Sequence, residues 1–240
     1  MSSDLAGDIL RPSHSVDAAS NLAEPWLRFS VWPAAPALSR HLETSKRFEV
    51  QGSRVLELGA GFGLVGMATA VLGARSVCLT DRLIPRLQQP TGDLAGETPG
   101  SGRKGGQQQL AALRSTLQGN QAAGNFPADC AFAVEELSFG DESVGQKLLD
   151  DHGPFDLILG SDITYFSPAL PELMVTLKQM AGSRTLVLLG HSQRRQGLEE
   201  ELVAKLEEAG FAVNRHGTDT GAGAAKVVLI ECRQRQQQRD

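Results

Sequence analysis

The chain has 240 residues, 41% of them hydrophobic, and a formal net charge of −5. This size and composition predict one α/β domain that buries about 70% of the surface exposed by its unfolded chain. No basic run lies inside the domain and no apolar stretch is long enough to cross a bilayer, which argues against a nucleic-acid or membrane partner.

The three cysteines, Cys78, Cys130 and Cys232, are scattered along the chain in apolar surroundings. We interpret them as buried free thiols, which are typical of a reducing compartment. The expected location is therefore the cytoplasm, with the nucleus as an alternative. The histidines and cysteines have no spacing typical of a metal site, and no metal is expected.

Polar segments flank the predicted domain. Residues 1–24 are expected to be flexible, residues 25–233 to form the domain, and residues 234–240 to be a solvated tail. Within the domain, residues 82–108 combine Gly, Pro, Gln and mixed charge without periodicity. This composition predicts a disordered insertion, and a functional lid is the alternative.

Predicted strands and helices alternate along the domain. A lead-in strand and a helix beginning near Pro33 come first. The remaining elements are strand 54–60, helix 64–72, strand 76–81, helix 109–120, strand 130–137, helix 142–149, strand 155–162, helix 170–180, strand 185–190, helix 197–209 and strands 211–215 and 226–232. The alternation predicts an α/β fold with a doubly wound, mostly parallel sheet of seven strands. The short connection between the last two strands predicts one antiparallel strand near the edge.

The stretch VLELGAGFGLVG predicts a buried strand, a tight turn and the start of a helix. Gly59, Gly61 and Gly63 allow the backbone to turn sharply and a ligand to lie against the main chain. Asp81 ends the next strand, 20 residues after Gly61. A carboxylate at this spacing can bind ribose hydroxyls, which predicts an adenosine-containing cofactor. A ligand-free turn and a simple capping role for Asp81 are the alternatives.

The acid that precedes the glycines, Glu57, distinguishes between adenosine cofactors. A carboxylate facing a diphosphate would repel it, and the sixth position of a G-x-G-x-x-G dinucleotide pattern is occupied by Leu64. S-adenosylmethionine has no phosphate and carries an ammonium group that Glu57 could organise, directly or through water. The motif therefore favours S-adenosylmethionine over a nicotinamide dinucleotide.

A second set of residues follows the apolar run in FDLILGSDITY at 155–165. Asp162 and Tyr165 come at the carboxyl end of this strand, where doubly wound sheets bind their ligands. We expect them to share one crevice with the glycine turn and Asp81. The alternative is that Asp162 caps the next segment and Tyr165 packs in the interior.

Together these residues resemble the seven-β-strand methyltransferases, and within them the lysine methyltransferase branch, methyltransferase family 16. The similarity rests on SVWPAAPALSRHLE at 30–43, LELGAGFGLVG at 56–66, Asn120 and Asn125, and DLILGSDITY at 156–165. The resemblance implies methyl transfer from S-adenosylmethionine to a lysine in a protein substrate. It also implies that Tyr165 walls the acceptor slot and that Asp162 orients the amine or the cofactor.

Two further aromatic residues belong to the implied site. Trp32 is expected to line the crevice or cover the cofactor, although a core aromatic that pins the lead-in segment is the alternative. The branch usually has Trp-Gly after the third strand, where this chain has Phe139-Gly140. Phenylalanine keeps a flat apolar face for the adenine but loses the N–H donor.

Two other functions are compatible with these residues. A small-molecule methyltransferase can use the same fold, since a fold does not determine the acceptor. A catalytically inactive module that binds the cofactor is the alternative from a different class. A monomer is the expected state.

Overall fold

The computed structural model describes residues 31–45, 50–82, 101–165, 167–193, 197–217 and 226–235, with the side chains of 101–108 left aside. The described helices are α1 (Ala34–Thr44), α2 (Leu64–Val71), α3 (Ser101–Ala122), α4 (Glu142–His152), α5 (Leu170–Met180) and α6 (Leu198–Glu208). The strands are β1 (Arg54–Leu58), β2 (Ser76–Asp81), β3 (Ala131–Glu136), β4 (Leu157–Ser161), β5 (Leu186–Ser192), β6 (Phe211–Gly217) and β7 (Val227–Gln234). The predictions for 1–24, the lead-in strand and 236–240 lie outside the described residues.

The seven strands form one sheet in the order β3-β2-β1-β4-β5-β7-β6. All neighbouring pairs are parallel except those of β7, which runs antiparallel to both β5 and β6. The predicted fold class is confirmed, and the antiparallel strand is second from the edge. Strands β2 and β3 lie on one side of β1, and β4 and β5 lie on the other side. The order in which the chain adds strands therefore reverses at the boundary between β1 and β4. The carboxyl ends of these two strands therefore border the crevice in which such sheets bind ligands.

Two apolar layers cover the sheet, because successive residues of a strand point to opposite faces. Val55 and Leu157 pack on the side of α1, α2 and α3. Their neighbours Leu56 and Ile158 pack on the side of α4, α5 and α6. The central strands are thus buried on both faces, which explains why they read as continuous apolar runs.

The ends of several elements differ from the prediction by a few residues, and those of β1 and α3 bear on the site. Strand β1 ends at Leu58 rather than residue 60, because Gly59 adopts a φ of 59°, which interrupts the extended backbone. Helix α3 begins at Ser101, eight residues before the expected start at 109. Residues 101–108 therefore have a helical backbone, whereas 83–100 lie outside the described residues.

The three cysteines are free and buried. Burial raises the pKa of Cys78 and Cys232 to about 12, so both thiols stay protonated at neutral pH. Among the residues that the structure describes, no group of three His, Cys, Asp or Glu side chains could hold a metal ion. The described helices include none that is long and apolar enough to span a membrane.

Candidate functional site

The glycine turn links β1 to α2 through three left-handed residues. Gly59, Gly61 and Gly63 have φ angles of 59°, 56° and 75°, values that other residues adopt only with strain. The space around them differs. A methyl group on Gly63 would lie 2.8 Å from Leu113 Cδ1, whereas one on Gly61 would meet none of the residues that the structure describes within 4 Å, apart from its chain neighbours. Gly63 thus serves packing, and Gly61 faces open space.

Asp81 is held against this turn at the end of β2. Its Oδ2 accepts a hydrogen bond of 2.8 Å from the backbone N–H of Gly61, and its Oδ1 accepts one of 2.7 Å from the N–H of Arg82. Burial raises the pKa of the Asp81 carboxyl, and the two backbone hydrogen bonds oppose that change. A carboxylate has about four acceptor positions, so these bonds leave capacity for a ligand on the partly exposed side.

Gln109 contacts the other side of the same peptide segment. This buried side chain of α3 donates from Nε2 to the carbonyl oxygen of Gly61, at 2.9 Å. Asp81 and Gln109 therefore hold Gly61 by both its N–H and its carbonyl group. Sequence reasoning missed Gln109 because it ends a run of three glutamines that begins in the predicted insertion, and it was assigned only to the start of the predicted helix 109–120. The only signal was its position directly before Leu110, the first residue of the apolar stripe of α3.

Glu57 lies beneath the turn rather than in the open crevice. The side chain is 1% exposed, and its Oε2 accepts a hydrogen bond of 2.8 Å from the N–H of Gly66 in α2. Burial and, to a smaller extent, the nearby Asp81 carboxylate raise the pKa of Glu57 to about 8, against the effect of the backbone hydrogen bonds. In this structure Glu57 anchors the first turn of α2. A contact with the ammonium group of a cofactor stays a prediction.

Asp162 follows β4 in a left-handed conformation, with a φ of 53°. Its Oδ2 accepts hydrogen bonds from the N–H of Ala34 at 3.1 Å and from the hydroxyl of Ser192 at 2.9 Å. Its Oδ1 accepts one from the N–H of Ser192 at 3.0 Å. The residue is buried and connects the start of α1 with the ends of β4 and β5. The structure thus places Asp162 beside the crevice, with its carboxylate directed at other parts of the chain.

The three residues after Asp162 have different environments. Ile163 packs against Gly59, where a methyl group would lie 2.6 Å from Ile163 Cγ2. The buried hydroxyl of Thr164 lies 2.8 Å from Nδ1 of the buried His191. Tyr165, in contrast, is 51% exposed at the carboxyl edge of the sheet. It does not pack in the interior, so its ring is accessible to a substrate.

The two expected aromatic residues are both partly buried. The carbonyl group of Trp32 accepts a hydrogen bond from the N–H of Ala35 at the start of α1. Phe139 packs against the apolar layer on the side of α4, α5 and α6. The next peptide group is fixed as well, because the N–H of Gly140 donates to the hydroxyl of Thr176 in α5 at 2.9 Å. Contacts of the two rings with a cofactor stay predictions.

This fold agrees with what comparisons with known proteins show. A solved magnesium protoporphyrin IX methyltransferase from Synechocystis, with bound S-adenosylmethionine, superposes with a TM-score of 0.51 at 16% identity, over 83% of this chain and 77% of that one. The similarity shows a Rossmann-like methyltransferase fold.

Sequence comparison gives the family. The model of the lysine methyltransferase family matches residues 20–88 and 110–209, and the chain belongs to this family. It is similar to the protein N-lysine methyltransferase METTL21A of Danio rerio, with 36% identity over 70% of this chain and 64% of the relative. It also resembles the EEF1A lysine methyltransferase 3 of Xenopus tropicalis, with 29% identity over 79% of this chain and 66% of the relative. The chain thus spans less than two thirds of the length of both relatives.

Proposed function

We propose that the chain is an S-adenosylmethionine-dependent protein-lysine N-methyltransferase. The observation that carries this proposal is the arrangement around Gly61. Its Cα faces open space, Asp81 and Gln109 hold its peptide groups, and the exposed Tyr165 stands at the same edge of the sheet. Gly61, Asp81 and Gln109 thus form a ligand cradle. It lies at the same edge of the sheet as the accessible Tyr165, where the strand order reverses between β1 and β4.

The residues present fit this cofactor. The open space at Gly61 admits a ligand against the main chain, and the carboxylate of Asp81 would accept hydrogen bonds from the two ribose hydroxyls. Phe139 would offer an apolar face to the adenine. Support for a phosphate-free cofactor comes instead from the match to the lysine methyltransferase family. Glu57 lies buried below the turn with its pKa raised to about 8, so it is mostly neutral at pH 7 and does not distinguish between adenosine cofactors by charge.

The bound cofactor would supply a methyl group already activated by its sulfonium. The contribution of the chain is then mainly positioning, since the acceptor nitrogen must lie in line and about 3–3.5 Å away. A lysine amine has a pKa of about 10.4 in water and must lose its proton before it attacks. Desolvation against the ring of Tyr165 lowers that pKa and favours the neutral amine. Tyr165 thus forms a wall of the acceptor slot.

The proposed acceptor is a lysine side chain of a cellular protein. Membership of the family and the names of the two relatives support a protein acceptor. The net charge of −5 suits a basic segment. We further propose a cytoplasmic location, because the three buried cysteines are free thiols. We also propose a monomeric state, which light scattering would test.

Calorimetric titration with S-adenosylhomocysteine tests the cofactor site. We expect micromolar binding by the wild type and about 10–100-fold weaker binding by Asp81→Ala, which loses charged hydrogen bonds. Glu208→Ala, which removes an exposed acid of the surface pair with Lys205, is the matched control and should bind like the wild type. A folded wild-type protein that does not bind would refute the proposed cofactor.

Transfer of a labelled methyl group from S-adenosylmethionine into a cell extract tests the acceptor. We expect label on lysine residues of a protein, identified by mass spectrometry of the labelled band. Label that passes an ultrafiltration membrane would instead indicate a small-molecule methyltransferase. Cofactor binding without any transfer would indicate an inactive binding module.

A further inference from the structure

The carboxylate of Asp162 is directed at the protein itself, although the residue stands at the mouth of the crevice. We propose that Asp162 is a positioning residue. It ties the start of α1 and the end of β5 to the end of β4, and it acts on the acceptor only through Trp32 and Tyr165. The inference deepens the proposed function and rests on it for its kinetic part.

Both oxygens of this carboxylate are engaged within the chain. Three donors, the N–H of Ala34 and the N–H and hydroxyl of Ser192, lie within 2.9–3.1 Å of them. The backbone N–H of Asp162 also donates to the carbonyl of Gly190 in β5, at 2.9 Å. The side chain is 6% exposed. Three segments that are far apart in the sequence thus converge on one buried carboxylate.

Helix α1 explains why a carboxylate is needed here. The residue before the helix, Pro33, offers no side-chain cap, and the first turn contains no acidic residue. The first N–H groups of a helix lack intrahelical partners and carry partial positive charge. Asp162 supplies the missing acceptor and the opposite charge from a strand end 128 residues away in the sequence.

The same contacts determine where the two aromatic side chains lie. Trp32 is two residues before Ala34, and its carbonyl is bonded into the first turn of α1. On the other side, the left-handed turn at Asp162 is followed by the partly buried Ile163, the buried Thr164 and the exposed Tyr165. Strained backbone of this kind persists only where its surroundings hold it. Loss of the carboxylate would therefore release both sides of the acceptor slot.

Engagement of the carboxylate also has an electrostatic consequence. A free carboxylate beside a lysine amine would raise the amine pKa and keep it protonated, which opposes attack. In Asp162 the negative charge is balanced by the start of α1 and by Ser192. A positioning role is thus compatible with a neutral acceptor amine, whereas direct contact would work against it.

Ser192→Ala separates the two roles, because it keeps the carboxylate and removes one of its donors. We expect about three- to tenfold lower kcat for methyl transfer to the protein acceptor, with an unchanged KM for the cofactor. We also expect about tenfold faster hydrogen exchange at the amides of residues 34–38. Asp162→Asn should change both quantities in the same direction and further, and the double variant should be no worse than Asp162→Asn. Ser39→Ala, which removes a buried hydroxyl bonded only locally to the Ala35 carbonyl in the same helix, should leave both quantities at wild-type values.

One combination of results would overturn the proposed positioning role of Asp162. If Ser192→Ala turns over like the wild type and Asp162→Asn is inactive, with unchanged exchange at residues 34–38 in both, then Asp162 contacts the acceptor and the inference is wrong. If the wild type transfers no methyl group, the proposed function fails, but the exchange measurement still decides the positioning role. If Asp162→Asn does not fold, Ser192→Ala decides alone.

Discussion

Two strands of the same sheet end in an aspartate that accepts hydrogen bonds from backbone N–H groups, but the two carboxylates have different surroundings. At the end of β2, Asp81 accepts a backbone N–H from the glycine turn. At the end of β4, Asp162 accepts backbone N–H groups from Ala34 and Ser192. Asp81 is partly exposed beside an open cradle, whereas Asp162 is buried among its donors.

The difference teaches that an acid after a strand does not by itself define a ligand contact. At β2 the open space at Gly61 leaves the carboxylate accessible, and the ligand can meet it directly. At β4 the accessible group is Tyr165, three residues further on, and the acid stabilises the turn that presents it. In the proposed site, the half that would bind the cofactor is thus built around the partly exposed acid Asp81, and the half that would bind the acceptor around the exposed ring of Tyr165. We call these the cofactor half and the acceptor half.

The largest expected effect concerns the glycine turn. Gly63→Ala should lower the free energy of unfolding by about 4 kcal/mol, from the left-handed backbone and from overlap with Leu113, Met67 and Leu79. Urea unfolding measures this. Gly61→Ala is the matched control. It has a similar φ but open space around the methyl group, so it should cost about 1–2 kcal/mol yet abolish S-adenosylhomocysteine binding. Equal losses of stability would contradict the distinction between a packing glycine and a ligand-facing one.

A smaller effect depends on pH and involves Glu57. Its folded pKa is raised from 4.5 to about 8, so the folded state binds more protons than the unfolded state between these values. The wild-type free energy of unfolding should therefore fall as the pH rises through this range. The side chain introduced by Glu57→Gln cannot ionise. The free energy of unfolding of this variant, relative to that of the wild type, should therefore rise by about 3 kcal/mol between about pH 5 and about pH 8.

Denaturant unfolding at several pH values measures that difference. Glu208→Gln, at an exposed position, is the control and should follow the wild-type profile. Parallel profiles for Glu57→Gln and the wild type would mean that Glu57 is ionised throughout the range.

Gln109→Met tests the hydrogen bond between Gln109 and the Gly61 carbonyl. The change keeps the size of the side chain but removes the donor to the Gly61 carbonyl. We expect about tenfold weaker S-adenosylhomocysteine binding, the effect of one hydrogen bond of about 1.4 kcal/mol. Gln146→Met, on the exposed face of α4, should bind like the wild type. Unchanged binding by Gln109→Met would show that Asp81 alone positions the turn.

The smallest expected effect belongs to the acceptor half. Tyr165→Phe keeps the ring and should lower kcat less than about threefold, whereas Tyr165→Ala should lower it about tenfold, since the ring provides the desolvation. The side chain is half exposed, so both variants should unfold within about 0.5 kcal/mol of the wild type. A Tyr165→Phe variant as inactive as Tyr165→Ala would assign the function to the hydroxyl.

The sequence alone predicted the fold well, because the signals were local and strong. Apolar runs ending in glycine or acid located β1, β2 and β4. The predicted helix 197–209 corresponds to α6, in which Leu198, Leu202 and Leu206 are buried. The residues of the glycine turn and Asp81 could also be proposed as neighbours from their spacing.

What the sequence did not reveal are partners that lie far away along the chain. Ser192 and Ala34 meet Asp162 across 30 and 128 residues, and no local pattern marks either of them. Gln109 was hidden in a polar, glycine-rich composition that resembles disorder. The burial of Glu57 was unexpected for a different reason. A carboxyl group is rarely buried. Here the backbone of Val65 and Gly66 provides hydrogen bonds for it, and the missing side chain at Gly66 leaves room for it.

The peptide at Gly61 has one more consequence, which concerns the connection between β2 and α3. Asp81 and Gln109 lie on either side of that connection, and both bind Gly61. Two residues that are 28 positions apart in the sequence, Asp81 and Gln109, are thereby held at one point. The entropy of closing a chain segment grows only with the logarithm of its length, at about 0.6 kcal/mol for each doubling. A change in the number of residues between Asp81 and Gln109 would therefore cost little at this point, while the contacts at Gly61 stay the same.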